Sequence, residues 1–228
     1  MKFIHKKVII FDLDGTLINS APDLALALNH MLKTVNRAEF SEDIIDGWVG
    51  NGASTLVKRA LSGQTQIDNN LDTQLCEDAL KIFLAFYAKN LCVDTHAYPD
   101  VLNTLQRLQK EGYILALVTN KPFAFVEPIL KGLGLTDLFE VVLGGDSLKE
   151  RKPSPMPLEY VCNELKVTHK ECVMVGDSKN DILAATAAHM HSIGVSYGYN
   201  YGESIDTYKP DVIIDNFKDI LKYFDGLK

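Results

Sequence analysis

Val8-Ile9-Ile10-Phe11 is a continuous apolar run that ends on Asp12-Leu13-Asp14-Gly15-Thr16. An unbroken apolar run of this length is the pattern of a parallel strand covered on both faces. Similar runs recur at Ile114–Val118, Val141–Leu143 and Cys172-Val173-Met174-Val175, with weaker ones at 192–195 and 212–214. Helical segments separate most of them. Residues 100–110 place Val101, Leu102, Leu105 and Leu108 on one face, 127–133 precede Gly134 as a C-cap, and 179–189 are rich in alanine. Strand alternating with helix predicts an α/β fold, a Rossmann-like, mostly parallel sheet with helices on both sides.

The rhythm breaks once. A crossover needs about a dozen residues, yet roughly a hundred separate the first strand from the second. Leu24, Leu28, Met31, Leu32 and Val35 fall at helical spacing, as do Leu75, Ala79, Ile82, Phe83 and Phe86. Shorter helical pieces are expected over 42–48 and 53–61. Pro22 suits a helix start, and Tyr98-Pro99-Asp100 marks the return. Residues 19–97 therefore read as an inserted helical domain, and residues 1–18 with 98–228 as the α/β core.

Ligands of an open parallel sheet bind beyond the carboxyl ends of its strands. Four such ends carry polar residues suited to phosphoryl transfer. Strand periodicity lets Asp12 and Asp14 converge on one site while Leu13 points away. Thr119-Asn120-Lys121 offers a hydroxyl and amide groups for phosphoryl oxygens, with Lys121 a candidate second cation. Lys152 follows the third strand, and Gly176-Asp177-Ser178, with Asp181 one helical turn on, ends the fourth.

In this order and spacing the four motifs resemble the haloacid dehalogenase superfamily, and the long insert after the first motif resembles its first class of cap domain. The resemblance implies a phosphohydrolase working through a phosphoaspartate with Mg²⁺. Asp12 would be the nucleophile, and Asp14 the acid and base that frees the leaving group and then activates water. Thr119 and Lys152 would stabilise transferring charge. The Asp12 and Asp177 carboxylates and the Asp14 backbone carbonyl would ligate the metal, with Asp181 orienting that shell. Relatives that store the acyl phosphate or cleave carbon–halogen bonds lack an aspartate at the second position, so Asp14 argues for phosphatase or phosphomutase chemistry.

Trp48 to Ala53, Leu117 to Pro122, Gly144-Gly145-Asp146 and the segment 197–203 (Tyr-Gly-Tyr-Asn-Tyr-Gly-Glu) together resemble the bacterial phosphoglycolate phosphatases. That likeness implies 2-phosphoglycolate as substrate. Alternatives are a broad-specificity small phosphoester phosphatase or a phosphosugar mutase. Ser154 and Met156 depart from the histidine and aspartate common at those positions. Receiver domains also phosphorylate an aspartate beside Mg²⁺ and a lysine, but lack the second aspartate and the cap. Gly50-Asn51-Gly52 reads either as backbone N–H groups for a substrate anion at a helix start, with Asn120 a further substrate contact, or as a turn with Trp48 in the cap core. Lys58 and Arg59 could meet a substrate carboxylate, but solvated helix positions are the expectation.

Of the 228 residues, 46% are hydrophobic and the formal net charge is −7, which argues against nucleic acid and anionic membranes as partners. The expected partner is a small phosphorylated metabolite, and the expected assembly a monomer or homodimer. An acidic chain must supply local positive charge to an anionic substrate, from a metal and a few placed lysines. Cys76, Cys92, Cys162 and Cys172 form no C-x-x-C pair and are expected as buried, reduced thiols. With no signal-peptide pattern and no membrane-length apolar stretch, a cytoplasmic location is expected.

Overall fold

A computed structural model describes residues 3–224. The chain runs β1 (Val8–Phe11), β2 (Ile18–Asn19), α1 (Ala21–Thr34), α2 (Glu42–Asp46), α3 (Ala53–Ser62), α4 (Thr73–Tyr87) and β3 (His96–Ala97). It continues through α5 (Val101–Lys110), β4 (Ile114–Val118), α6 (Phe123–Gly132), β5 (Val141–Leu143) and α7 (Met156–Leu165). The last elements are β6 (Cys172–Gly176), α8 (Lys179–Ala187), β7 (His191–Val195) and β8 (Val212–Ile214), with short 3₁₀ turns among the connections.

Six strands form a parallel sheet in the order β5-β4-β1-β6-β7-β8. All four residues of β1 are buried because both faces are covered. Ile9 and Phe11 join a cluster with Val101 and Leu105 of α5 and Val126 and Ile129 of α6. Val8 and Ile10 face the other way, onto Leu158 and Val161 of α7 and Ala184 and Ala185 of α8. The chain moves outward from β1 on one side through β4 and β5, and on the other through β6 to β8. The crevice at this reversal lies at the carboxyl end of β1, the expected ligand position. The register pairs Phe11 with both Leu117 and Val175. Asp12, Thr119 and Asp177, which follow the ends of β1, β4 and β6, are thereby brought to one rim.

Helices α1 to α4 lie between β2 and β3, which pair antiparallel, Ile18 with Ala97 and Asn19 with His96. Apolar residues of these helices, including Leu28, Met31, Ala79 and Phe83, are continuous with one face of the sheet core. Trp48 is buried edge-on against Phe40, centroids 5.0 Å apart.

Several sequence expectations need correction. The helix expected over 127–133 begins at Phe123 and carries Pro128 inside it. Helix α7 was not anticipated, because Pro153, Pro155 and Pro157 disguise its start. Its first turn accepts proline, since those N–H groups have no intrahelical partner. Cys92 is exposed, whereas the other three cysteines are buried and all four are free. Arg59 is half-buried and engaged: it donates to the Trp48 and Thr65 carbonyls at 2.7 and 2.9 Å, and its guanidinium lies 5.1 Å from the Tyr201 ring centroid.

Where the chain returns from the helices, one side chain carries the connection. Asp23, fully buried in the first turn of α1, accepts from the Val93, Asp94 and Thr95 N–H groups at 2.9–3.0 Å and from the Thr95 hydroxyl at 2.7 Å. Asp23→Ala strands these donors and should cost roughly 3 kcal/mol in urea unfolding. A loss below about 1 kcal/mol would show that water replaces the carboxylate.

Candidate active site

Asp12, Asp177 and Asp181 each offer a carboxylate oxygen within 4.8 Å of the others, and all three are buried. Local structure fixes each one. Asp181 closes a capping box at the start of α8: its Oδ2 accepts from Ser178 N at 3.0 Å and Ser178 Oγ at 2.8 Å. Its Oδ1 accepts from Lys152 Nζ at 2.6 Å. Asp177 accepts from Thr16 Oγ1 at 2.9 Å through Oδ1 and from Tyr199 N at 2.8 Å through Oδ2. Lys152 donates as well to the Val118 carbonyl at 2.6 Å and lies 2.9 Å from Asp12 Oδ1. This last contact is a buried ion pair.

Missing side chains make the packing possible. A Cβ on Gly198 would stand 2.1 Å from Asp177 Cβ, and one on Gly176 would stand 2.2 Å from Asp181 Cγ. Gly15, at φ +84°, would put its Cβ 2.3 Å from Asp177 Oδ2. These glycines let the main chain close around the carboxylates.

Burial dominates the electrostatics. It pushes Asp12 up to about 7 against the pull of Lys152. It pushes Asp177 up to about 8, with Asp181 and Asp12 adding repulsion. Lys152 stays charged because Asp12 and Asp181 outweigh its own burial. Fully ionised, Asp12, Asp14, Asp177 and Asp181 exceed Lys121 and Lys152 by two negative charges. Hard oxygen donors from three buried carboxylates and that excess fit a divalent cation such as Mg²⁺.

Asp14 points elsewhere. Its Oδ1 accepts from Lys121 Nζ at 2.8 Å and Ser20 Oγ at 2.5 Å, and its Oδ2 from Lys121 Nζ at 3.1 Å. Asp12, Asp14, Thr119, Asn120 and Lys121 line a cavity of about 40 Å³. That is room for roughly three waters. The opposite wall comprises Leu24, Val49, Gly50, Gly52, Ala53, Leu56, Phe83, Tyr87 and Phe125. Thr119 Oγ1 accepts from Lys121 N at 3.2 Å, which leaves its own hydrogen to donate.

Polar contacts join the helical side to the sheet around Gly50. The Gly50 carbonyl accepts from Asn120 Nδ2 at 3.1 Å and from Asn180 Nδ2 at 3.2 Å. Asn120 Nδ2 also donates to the Lys152 carbonyl at 3.0 Å, and Asn51 Nδ2 reaches Asn180 Oδ1 at 3.5 Å. Asn120 thus lines the cavity while its amide nitrogen is engaged, and Asn51 lies outside the lining. Gly52 caps α3 at φ +80°.

The tyrosine–glycine segment after β7, which sequence reasoning used only as a mark of kinship, braces this arrangement. The Tyr199 hydroxyl accepts from Ser20 N and Ala21 N at 2.9 and 3.1 Å and donates to Asn19 Oδ1 at 2.8 Å. The Tyr197 hydroxyl donates to the Thr16 carbonyl at 2.9 Å, and the Tyr201 hydroxyl accepts from Asn180 Nδ2 at 2.8 Å. The alternate spacing of the tyrosines was visible in the chain, but their partners, up to 181 residues away, were not.

Comparisons with known proteins agree with this geometry. The family model "Haloacid dehalogenase-like hydrolase" matches residues 9–195. The phosphoglycolate phosphatase of Colwellia psychrerythraea is 53% identical over 221 residues, covering 97% of this chain and 98% of that protein. The phosphoglycolate phosphatase of Psychrobacter arcticus is 46% identical, covering 96% of each. A crystal structure from Haemophilus somnus, described as a predicted phosphoglycolate phosphatase, superposes with a TM-score of 0.89 at 45% identity, covering 96% of this chain and 97% of that one. Sheet order, the carboxylate rim and these full-length matches lead to one statement of kinship: the chain belongs to the haloacid dehalogenase-like hydrolases.

Proposed function

We propose that this protein is a Mg²⁺-dependent phosphoglycolate phosphatase, hydrolysing 2-phosphoglycolate to glycolate and phosphate. The observation that carries the reaction type is the division of two neighbouring carboxylates between two buried lysines. Asp12 pairs with Lys152 beside the carboxylate cluster, whereas Asp14 pairs with Lys121 at the cavity. The choice of ester rests on the full-length likeness to phosphoglycolate phosphatases.

In this reading residues 19–97 serve as a cap that excludes water and encloses the leaving group. The Asp12 carboxylate attacks phosphorus in line, forming an acyl phosphate as the ester oxygen departs. Lys152 places fixed positive charge beside the attacking oxygen, and the Thr119 hydroxyl donates to a phosphoryl oxygen. Asp14 gives a proton to the departing glycolate oxygen, then takes one from the water that cleaves the acyl phosphate. The Asp12 and Asp177 carboxylates and the Asp14 backbone carbonyl would hold Mg²⁺, which offsets the repulsion between carboxylate and phosphate. Asp181 has both oxygens engaged by Lys152 and Ser178, and these contacts support a role in orienting the ligands. Gly50, Asn51, Gly52 and Asn120 shape the substrate side by seating the cap on the sheet. A small soluble ester needs no nucleic acid or membrane partner, and among the described residues no helix is long and apolar enough to cross a membrane. A cytoplasmic monomer or homodimer suits such a metabolite.

Phosphate release from a panel of small phosphoesters, with Mg²⁺ and with chelator, tests this directly. We expect 2-phosphoglycolate to lead in kcat/KM, chelator to abolish turnover, and Asp12→Asn to be inactive. Asp14→Asn should lose roughly a hundredfold or more in kcat. Unimpaired phosphate release by Asp14→Asn would overturn its assignment, and a phosphorylated isomer without free phosphate would indicate a mutase.

Metal binding should also show in stability. Without metal, Asp12 and Asp177 bind protons up to about pH 7 and 8, against a value near 3.8 in the unfolded chain. The folded state therefore holds more protons in that window, and metal-free stability should fall as pH rises from about 4 to 8. Mg²⁺ competes with the same protons, so the rise in Tm on adding it should be larger at pH 8 than at pH 6. An increment independent of pH would exclude that competition.

A further inference from the structure

Tyr87, the last residue of α4, is 1% exposed and lines the cavity above Asp12 and Asp14. Its ring is held on two sides, stacked on Phe83 at 5.7 Å and edge-on to Phe125 at 5.3 Å. Its hydroxyl, by contrast, is buried without a hydrogen-bond partner among the described residues. A buried phenol normally finds a partner, because leaving one unsatisfied is costly. The nearest charge is the Lys121 ammonium, 4.9 Å from the ring centroid. An ammonium only donates, so even a contact with the hydroxyl oxygen leaves the phenolic hydrogen without an acceptor. The other cap residues of the wall, Leu24, Val49, Leu56 and Phe83, have no polar side-chain atom to offer.

The polar groups form a short series. Asp12 would take the phosphoryl group and Asp14 would face the ester oxygen, Lys121 grips Asp14, and the Lys121 ammonium lies over the Tyr87 ring. Both distal groups are donors, in a cavity whose wall is otherwise largely apolar. What completes such a subsite is a small group, close to the ester oxygen, that brings acceptor oxygens and negative charge.

We propose that Tyr87, together with Lys121, reads the carboxylate of the leaving group. The phenolic O–H donates to one carboxylate oxygen while the Lys121 ammonium supplies the opposing charge. This inference rests on the phosphoglycolate reading and assigns the residue that would enforce it. A longer leaving group meets the rings of Phe83 and Phe125, and one lacking acceptor oxygens leaves the hydroxyl unsatisfied. A site built around a buried donor discriminates strongly against an analogue that cannot accept.

The test compares kcat/KM for 2-phosphoglycolate with that for ethyl phosphate, a two-carbon ester without the carboxylate, in the unaltered enzyme and in Tyr87→Phe. The variant keeps the ring and its packing. Its Tm without substrate should be unchanged or higher, since the phenolic hydrogen has no acceptor among the described residues. The ratio of the two kcat/KM values should fall roughly tenfold to a hundredfold, mainly through KM for 2-phosphoglycolate, and competitive inhibition by glycolate should weaken in parallel. A preserved ratio, or a lowered Tm, would overturn the inference and point to a structural partner such as an internal water. If the unaltered enzyme shows no preference for 2-phosphoglycolate over ethyl phosphate, the phosphoglycolate reading itself fails, which is a separate outcome.

Discussion

Lys152 is the interaction on which the site depends. Its buried ammonium touches the β4 carbonyl of Val118, the α8 carboxylate of Asp181 and the β1 carboxylate of Asp12. Three elements that meet only in the folded sheet are thereby joined through one charge. Desolvating an ammonium is expensive, and only close opposite charges and aligned acceptors offset it. The carboxylates have the converse difficulty, for without the lysine they would repel one another in a water-poor pocket. Neither set is tolerable alone. Their joint burial stores an unbalanced negative charge at the rim, which suits a cation followed by an anionic substrate.

Around this centre the chain uses close backbone approach where it lacks room for side chains. Gly15, Gly176 and Gly198 press the main chain against Asp177 and Asp181, and Tyr199 N–H is aimed at Asp177 as a result. On the opposite flank, Lys121 and Ser20 turn Asp14 away from the cluster. Two aspartates separated by one residue so acquire different neighbours. Different neighbours allow different duties for the same functional group.

Much of this was legible in the chain, for identifiable reasons. The six sheet strands are short apolar runs bounded by polar residues, and their order along the chain nearly dictates a doubly wound sheet. The residues after the strand ends follow from where such sheets bind ligands. Strands β2 and β3 were invisible because two residues carry no periodicity. Asp23 looked like an ordinary acidic residue in a first helical turn, and only folding brings it to donors 70 to 72 residues away. Tyr87 fell in register with an apolar helix face, so its unpartnered hydroxyl appears only when the wall opposite is known. Local pattern reveals elements and strand-end chemistry, whereas long-range polar partnerships remain hidden.

The two-stranded ribbon has a mechanical consequence. Residues 18 and 97 are hydrogen-bonded neighbours, so the helices of the insert join the sheet by two strands crossing at nearly one place. The chain thus leaves for the helices and returns from them through one paired ribbon. At the cavity, Asn120 and Asn180 both donate to the Gly50 carbonyl. Because two amides from different strand-end segments share one carbonyl, any separation of the helices from the sheet at this point breaks both contacts together.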